Sequence, residues 1–386
     1  MTATDTAIEP TVELVTREER RSTSTRGTGD LVVLAGAAAA AVSLTALLFD
    51  RIAPISGVLG FVVVSYLLFL VVYALLLSIQ DSWLAVRDRL ASVVVHSLAL
   101  LALLALVFIV VFTFWRGRDA LFHGNFFVTD MTAAGPLDPL TSGGILHAAT
   151  GTLIEIVLAL TVVIPLGLLC AVYLNETRGA FARFVRTIVE AMTALPSIVA
   201  GLFVYASLIL GLGMNKSGLA AALAISVMML PIVIRAADVV IRLVPSSLRE
   251  SSLALGAGQW RTTWHVVLPT ARSGLTTAIL LGTARGIGET SPVLITAGFG
   301  STLNLDPTEG PMVSLPLATF VFSGSPEPTM IARGFGAAAV LLAVVLVLFA
   351  LARVLGGRPA GQLSARQRRR RDRLSVRDVA RWEKRA

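Results

Sequence analysis

The chain has few charged residues and a single cysteine. Charged side chains make up 15% of its 386 residues and hydrophobic ones 55%, whereas a soluble domain carries about 25% charged residues. This shortage of charge excludes an ordinary soluble domain and predicts a chain whose main solvent is lipid. Cys170 lies in an apolar run, so a disulfide or cysteine-based metal framework is excluded and a buried, inert thiol is expected.

The sequence also lacks the motifs of nucleotide binding and of metal catalysis. The nearest approach to a phosphate-binding P-loop, residues 211–217, lacks the second glycine of that motif. No His-Glu-x-x-His segment is present, and His123 and His147 are isolated from other metal-ligating residues. We therefore expect no cofactor and no metal site, and any source of energy has to be a separate protein.

Eight apolar runs are long enough to cross the roughly 30 Å hydrocarbon core of a bilayer, which takes about 20 residues. These runs are 31–50, 57–79, 92–115, 146–174, 186–211, 218–236, 273–298 and 330–354. Pro165, Pro196 and Pro231 interrupt three of them, which membrane bundles tolerate where neighbours or a cavity replace the lost hydrogen bonds. The predicted fold class is an all-α integral membrane protein with about eight transmembrane helices.

The distribution of lysine and arginine predicts the orientation of these spans. With the N-terminus inside, 26 Lys/Arg fall in inside segments and five in outside segments, while Arg285 falls within a span. Because cytoplasmic loops carry the excess of positive charge, both termini are expected to be cytoplasmic. Residues 1–30 are polar and predict a disordered tail. Residues 356–386 hold eleven Lys/Arg and three acidic residues directly after a span, which favours contact with anionic lipid over nucleic acid.

The longest inside connection between spans, residues 237–272, predicts two short helices beneath the membrane. Ser247 and Glu250 have the spacing of a capping box. The first helix is expected to run from about 248 to 255 and to stop at Gly256. The second is expected to begin near Gln259 and to be bounded by Pro269.

This connection resembles the "EAA" loop of bacterial binding-protein-dependent ABC importer permeases. Six residues carry the resemblance at matching spacing: Glu250, Ser251, Ser252, Gly256, Leu268 and Pro269. A Ser-Ser pair replaces the Ala-Ala of the family pattern. The resemblance implies that residues 245–269 dock on a cytoplasmic ATPase and couple its closure to the spans.

The seventh span carries two charges, Arg285 and Glu289, four residues apart. That spacing places both on one helical face, close enough to pair, at a depth where one isolated charge costs roughly 2.5–3.5 kcal/mol. From the residues alone, a structural ion pair and an oxyanion-binding pathway pair remain open, since the planar fork of arginine suits an oxyanion. Gly282 and Gly286 have the small-xxx-small spacing that lets a neighbouring helix approach closely. We expect Gly288 to pack against a neighbouring helix as well.

Residues 284–292 resemble the signature span of phosphate-specific ABC importer permeases. The Ser-Pro-Val-Leu that follows the Gly-Glu-Thr core, together with residues 195–203, is closer to the PstA type. The resemblance covers residues 92–355 and implies a six-span, MetI-like permease core, preceded by two additional spans at 31–79. It implies that Arg285, Glu289 and Thr290 line a pathway for inorganic phosphate, and that the chain is a transport subunit rather than an enzyme.

The resemblance also implies partners and a location. The partners are a homologous second permease (PstC type), a cytoplasmic ATPase dimer (PstB type) and an external phosphate-binding protein (PstS type), assembled in the bacterial plasma membrane. Three alternatives stay open: an importer for sulfate or molybdate, an intramembrane enzyme using Glu289 with His96 or His147, and an ion channel or sensor with a basic regulatory tail.

Three further acidic residues lie in or near the predicted spans, namely Glu155, Glu190 and Asp238. We interpret each of them as interfacial or as paired between helices, and we expect none of them in the pathway.

Overall fold

The computed structural model describes residues 28–52, 57–79, 81–356, 370–371 and 374–375. Over these residues the structure is helical and contains no strand, which confirms the predicted fold class. Most of the two predicted tails, 1–30 and 356–386, lies outside the described residues.

Fourteen α-helices follow one another within the described part of the chain. They are α1 Thr28–Leu47, α2 Val58–Ser78, α3 Trp83–Leu121, α4 Asn125–Val128, α5 Leu146–Glu176, α6 Ala180–Thr193, α7 Ser197–Val204, α8 Gly218–Arg242, α9 Ser246–Ala254, α10 Gln259–Thr262, α11 Leu268–Ile287, α12 Ser291–Thr296, α13 Leu315–Ser323 and α14 Pro328–Gly356. Three π-helical segments extend α1, α7 and α10, at Leu48–Ile52, Tyr205–Gly211 and Thr263–Val267 respectively.

Six helices in the described ranges are long and apolar enough to cross a membrane, and a seventh span is counted if one bent pair is included. The six are α1, α2, α3, α5, α8 and α14, so the chain is a multi-pass membrane protein and the predicted count of eight is approximate. The bent pair is α6 with α7 and its π-helical extension, at an angle of 108°.

The predicted interruption of the 186–211 span at Pro196 is confirmed, because Pro196 lies at the bend between α6 and α7. Pro165 and Pro231, by contrast, lie inside the continuous helices α5 and α8. The predicted span over 273–298 is also interrupted: α11 ends at Ile287 and α12 begins at Ser291. The seventh predicted span is thus two helices with a break at 288–290.

The chain divides into two compact units, Met1–Leu106 and Val107–Ala386. In the first unit, buried apolar residues of α1, α2 and the start of α3 form a core that includes Ala37, Tyr73 and Val86. Arg89 Nη1 lies 2.9 Å from Asp30 Oδ1 and 3.3 Å from Asp81 Oδ2. This ion-pair cluster joins the beginnings of α1 and α3.

In the second unit, α8 is the central helix. In α8, 61% of an 18-residue apolar stretch is buried inside the protein, against 28% of the corresponding stretch of α5. The reason is that α5 and α11 both pack along α8. A helix buried on several faces is apolar all round, and the middle of α8 is accordingly rich in Ala, Ile and Met. The candidate site lies on the helices that contact α8.

In the second unit, polar contacts hold the loop between α4 and α5 against the loop between α12 and α13 and against α14. The Asp130 carboxylate accepts backbone N–H bonds from Thr132 at 3.1 Å and from Leu303 at 3.0 Å, and these bonds lower the pKa of Asp130. Arg333 is buried and donates to three carbonyl oxygens of a neighbouring loop, those of Asp138, Pro139 and Ser142.

Candidate functional site: a loop of two helices and a broken helix

The predicted pair of helices after α8 is present as α9 and α10. Gly256 has a φ of +82° directly after the first of them, a left-handed conformation that favours glycine at a helix end. Two details of the prediction are wrong. The helix begins at Ser246 behind Pro245 with no side-chain cap, so Ser247 and Glu250 form no capping box.

The second wrong detail concerns Pro269. It lies in the first turn of α11, directly after the π-helical segment, and does not end the helical backbone. The backbone torsions at Thr263, Val267 and Leu268 are all right-handed helical. Helical backbone therefore continues from α10 through the π-helical segment into α11.

The outer side of α9 is free of contacts with the other helices. It has no buried residue, and Glu250 and Ser251 are exposed, as is Leu255 at 89% of its surface. Ser252 points inward, with its Oγ 2.8 Å from Thr262 Oγ1. This part of the loop therefore presents Glu250, Ser251 and Leu255 to its surroundings.

Arg249, next to Glu250, fastens α9 to two other helices. Its guanidinium donates to Glu176 Oε1 at 2.8 Å, to Asn175 Oδ1 at 2.9 Å and to the Ile241 carbonyl at 3.3 Å. Gln259 Nε2 donates to the second oxygen of Glu176 at 3.2 Å. The ends of α5 and α8 are thereby tied to the loop. Sequence reasoning missed Arg249, because nothing local points to an acceptor more than 70 residues earlier.

A groove beside α9 is lined by arginines. Five of them contribute: Arg178, Arg183, Arg186, Arg242 and Arg249. Asp238 lies 3.2 Å from Arg186 Nη1 and 2.8 Å from Arg242 Nη2, so the interpretation of Asp238 as a helix-pairing residue is confirmed. Glu190, the second of the three acidic residues, is exposed on α6.

Arg285 and Glu289 are in contact where α11 ends. Arg285 lies in the last turn of the helix, and Glu289 lies just beyond it, with its N–H donating to the Gly286 carbonyl at 3.1 Å. Arg285 Nη2 is 3.1 Å from Glu289 Oε1. The contact predicted from the spacing is present, but it closes the end of a helix and does not lie on a continuous helical face.

The two partners differ strongly in exposure. The Glu289 side chain is 6% exposed and that of Arg285 57%. Glu289 Oε1 accepts no well-aligned hydrogen bond from the described residues, so the attraction is an ion pair at contact distance. A guanidinium has five N–H donors, and this geometry leaves most of those of Arg285 on the exposed side. Thr290, half-buried, follows directly before α12.

Gly282 and Gly286 lie against α8. A Cβ on Gly286 would collide with Met229 Sδ and come within 3.0 Å of Ile225 Cγ2, and a Cβ on Gly282 would collide with Val233 Cγ2. At Gly288 a Cβ would meet only the carbonyl oxygens of Arg285 and Ala284, at 3.7 and 3.8 Å. No close helix contact therefore involves Gly288, and a packing role for it does not follow.

We predict that Gly286→Val destabilises the folded chain by roughly 1–3 kcal/mol, the usual cost of overpacking a core. An isopropyl group of three carbon atoms has to displace Met229, which is fully buried. Gly288→Val is the matched control and is expected to be nearly neutral, because a Cβ there meets no atom closer than 3.7 Å. Thermal unfolding of both purified variants measures the difference, and equal midpoints would contradict the close contact between α11 and α8.

Glu155 is the acidic residue that the sequence interpretation misjudged. It is 1% exposed, and neither carboxylate oxygen has a hydrogen-bond partner within the described ranges. No hydrogen bond or ion pair joins Glu155 to another helix in this part of the structure, so the expectation that it pairs in that way is wrong. The signal available in the sequence was the ionisable residue within an apolar span.

Comparison with known proteins adds the family to this geometry. Residues 163–360 match the family described as "Binding-protein-dependent transport system inner membrane component". Phosphate transport system permease protein PstA 1 of Mycobacterium tuberculosis (strain ATCC 25618 / H37Rv) is 38% identical over 264 residues, which are 68% of this chain and 85% of that protein. The PstA protein of Yersinia pestis is 33% identical over 72% of this chain and 92% of its own length.

Among solved structures, the MetNI methionine ABC transporter in an inward facing conformation aligns with a TM-score of 0.43 and 18% identity, over 55% of this chain and 93% of that chain. The family match spans just over half of the 386 residues and contains α9, α10 and the Arg285–Glu289 pair. The chain belongs to the family of inner membrane components of binding-protein-dependent transport systems.

Proposed function

We propose that this chain is a permease subunit of an ATP-driven phosphate importer and forms half of its translocation pathway. The observation that carries the proposal is Arg285, an arginine more than half exposed within an interrupted span and held from one side by buried Glu289. A planar guanidinium with free donors binds a phosphate-like oxyanion in two-point contact. The names of relatives at 33–38% identity support phosphate as the anion.

The geometry suggests a transient anion site. An arriving phosphate competes with Glu289 for the guanidinium, and Thr290 next to it supplies a hydroxyl. Because a carboxylate already satisfies part of the arginine, the anion gains less than it would from a free guanidinium. Weak, exchangeable binding suits a pathway, in which a ligand shifts the equilibrium only as far as it binds the two states differently.

The loop formed by α9 and α10 couples closure of the ATPase to movement of the membrane spans. Its exposed face, with Glu250, Ser251 and Leu255, is offered to a cytoplasmic ATPase dimer of the PstB type. Two connections carry a displacement of this face to the spans: Arg249 links it to the ends of α5 and α8, and α10 continues into α11. Gly256 forms the turn after α9, and Leu268 and Pro269 begin α11, into which this coupling loop continues.

The remaining parts of the assembly follow from the same proposal. A second permease of the PstC type completes the pathway, and an external binding protein of the PstS type delivers phosphate. Both termini are cytoplasmic, residues 92–355 form the six-span permease domain, and residues 31–79 add two spans. The tail after residue 356, with its net positive charge, rests on anionic lipid.

Uptake of radiolabelled phosphate in a strain deleted for this gene tests the substrate. We expect uptake to fall in the deletion strain, in a background without other phosphate importers, and to return on complementation. Excess unlabelled phosphate is expected to compete with the label, whereas sulfate and molybdate are not. Normal phosphate uptake in the deletion strain, with lost sulfate or molybdate uptake, would make the chain a permease for that other oxyanion.

A further inference from the structure

A small, partly open cavity lies beside the Arg285–Glu289 pair, between α5, α8 and the break after α11. Its empty volume is about 180 Å³, with space for the centre of about one water molecule. Eight residues line it: Thr152, Glu155, Ile156, Ile225, Gly286, Ile287, Glu289 and Ser314. Two carboxyl groups from distant segments of the chain thus share one water-sized space within the membrane region.

Four polar atoms at this cavity make no hydrogen bond in the described part of the chain, although one of them, Glu289 Oε1, lies 3.1 Å from Arg285 Nη2. They are both carboxylate oxygens of Glu155, Oε1 of Glu289 and the Oγ of Ser314, and all three residues are at least nine-tenths buried. A buried carboxylate without donors is costly, so such a group is neutralised or finds a partner. A proton is the smallest species that satisfies a pair of carboxyl groups, as in sites where two carboxyls hold one proton between them.

We propose that this cavity is a proton-binding site in which Glu155 and Glu289 share one proton, and that the position of the proton controls Arg285. With the proton on Glu155, Glu289 is the anion that holds Arg285. When the O–H bond to Glu155 breaks and one to Glu289 forms, the negative charge moves to Glu155. Arg285 is then released toward the incoming anion, and the Ser314 hydroxyl is the donor available to the new carboxylate.

Few other ionisable groups of the surrounding helices face Glu155 and Glu289. Arg285 faces Glu289 from α11, and buried His147 lies two turns from Glu155 along α5. The part of α8 at the cavity contributes Ile225, while the ionisable residues of α8 all lie in its last turns. Neither α12 nor α13 contains an ionisable residue. Loss of the shared proton at alkaline pH leaves two carboxylates facing one arginine.

This inference rests on the proposed function for its transport readout, so the experiment has two separate arms. In the first arm, phosphate uptake is measured across a range of pH with the chain assembled with its companion subunits. Wild-type uptake is expected to fall as the pH rises. Glu155→Gln, which has the shape of the protonated acid but cannot pass a proton on, is expected to lower uptake roughly tenfold, a typical coupling between two sites, and to flatten the pH profile.

Two further variants complete this arm. Glu155→Asp, which keeps a transferable proton, is expected to restore part of the uptake and of its pH dependence. Glu190→Gln is the matched control at an exposed glutamate and is expected to behave as wild type. An unchanged pH profile in Glu155→Gln at wild-type abundance would overturn the proposal. So would uptake that depends on sodium at constant pH, because the cavity would then hold a metal cation.

The second arm requires no transport. Infrared spectra of the purified wild-type complex are expected to show the carbonyl band of a protonated carboxylic acid, shifted by exchange into heavy water and lost in Glu155→Gln. If the wild-type complex imports no phosphate, the proposed function fails, and this band still decides the shared proton. Absence of the band in the wild type overturns the proton site whatever the substrate, and it does so even where Glu155→Gln does not fold.

Discussion

Replacing Arg285 with glutamine is expected to reduce the initial rate of phosphate uptake by roughly tenfold to a hundredfold, the range that corresponds to one lost charge-assisted hydrogen bond. The guanidinium is more than half exposed at the break after α11, so its removal takes donors from the proposed pathway without opening a cavity in the core. Membrane abundance is therefore expected to stay at the wild-type level. Radiolabelled uptake, normalised to abundance, measures the effect.

Two companion variants make the result specific. Arg285→Lys retains the charge but loses the planar fork, and we expect it to recover only part of the uptake. Arg272→Gln is the matched control, because it removes the same side chain from an exposed position of the same helix. If Arg285→Gln transports phosphate normally, the Arg285–Glu289 pair is structural and the pathway lies elsewhere in the bundle.

Glu250→Arg, which reverses the charge, is expected to lower phosphate uptake at least roughly tenfold, while the chain still folds. Glu250 is exposed on the face of α9 that we assign to the ATPase, and exposed substitutions usually change stability by less than about 0.5 kcal/mol. A like-charge or unpaired contact in an interface costs much more. ATP hydrolysis by the assembled complex is expected to lose its stimulation by the loaded binding protein.

The matched control for Glu250→Arg is Glu190→Arg, the same reversal at an exposed glutamate of α6. We expect wild-type uptake and wild-type hydrolysis from it. The assignment of the α9 surface would be wrong if Glu250→Arg still coupled hydrolysis to uptake. A loss of the chain from the membrane would instead indicate a folding defect, which separates stability from docking.

Local sequence patterns predicted the helices well where the cause of structure is local. Hydropathy located α1, α2, α5, α8 and α14, and Gly256 marked the end of α9 because only glycine takes that backbone conformation without strain. The failures concern proline. Pro165, Pro196 and Pro231 look alike in the sequence, yet only Pro196 lies at a bend, because the packing around the other two holds their helices together.

The site shows the same division between local and long-range causes. The contact between Arg285 and Glu289 follows from a spacing of four residues and was predictable. The surroundings of Glu155 and Arg249 were not predictable, because their neighbours come from distant parts of the chain. Glu155 shares a cavity with Glu289, and Arg249 donates to Glu176 at the end of α5. One sequence contains no signal for such pairings, whereas burial and missing hydrogen bonds reveal them directly.

The uninterrupted helical backbone from Gln259 to Ile287 has a mechanical consequence. It connects the loop at Gln259 with Arg285 near its other end without a break in the helical backbone. Helices bend most readily at prolines and at π-helical segments, and both lie near the loop end of this run, at Thr263–Val267 and Pro269. Beyond them the backbone is α-helical up to Ile287, and the next break comes at residues 288–290. In the proposed importer, we expect a displacement of the loop to reach Arg285 through this α-helical part, with bending confined to the end near the loop.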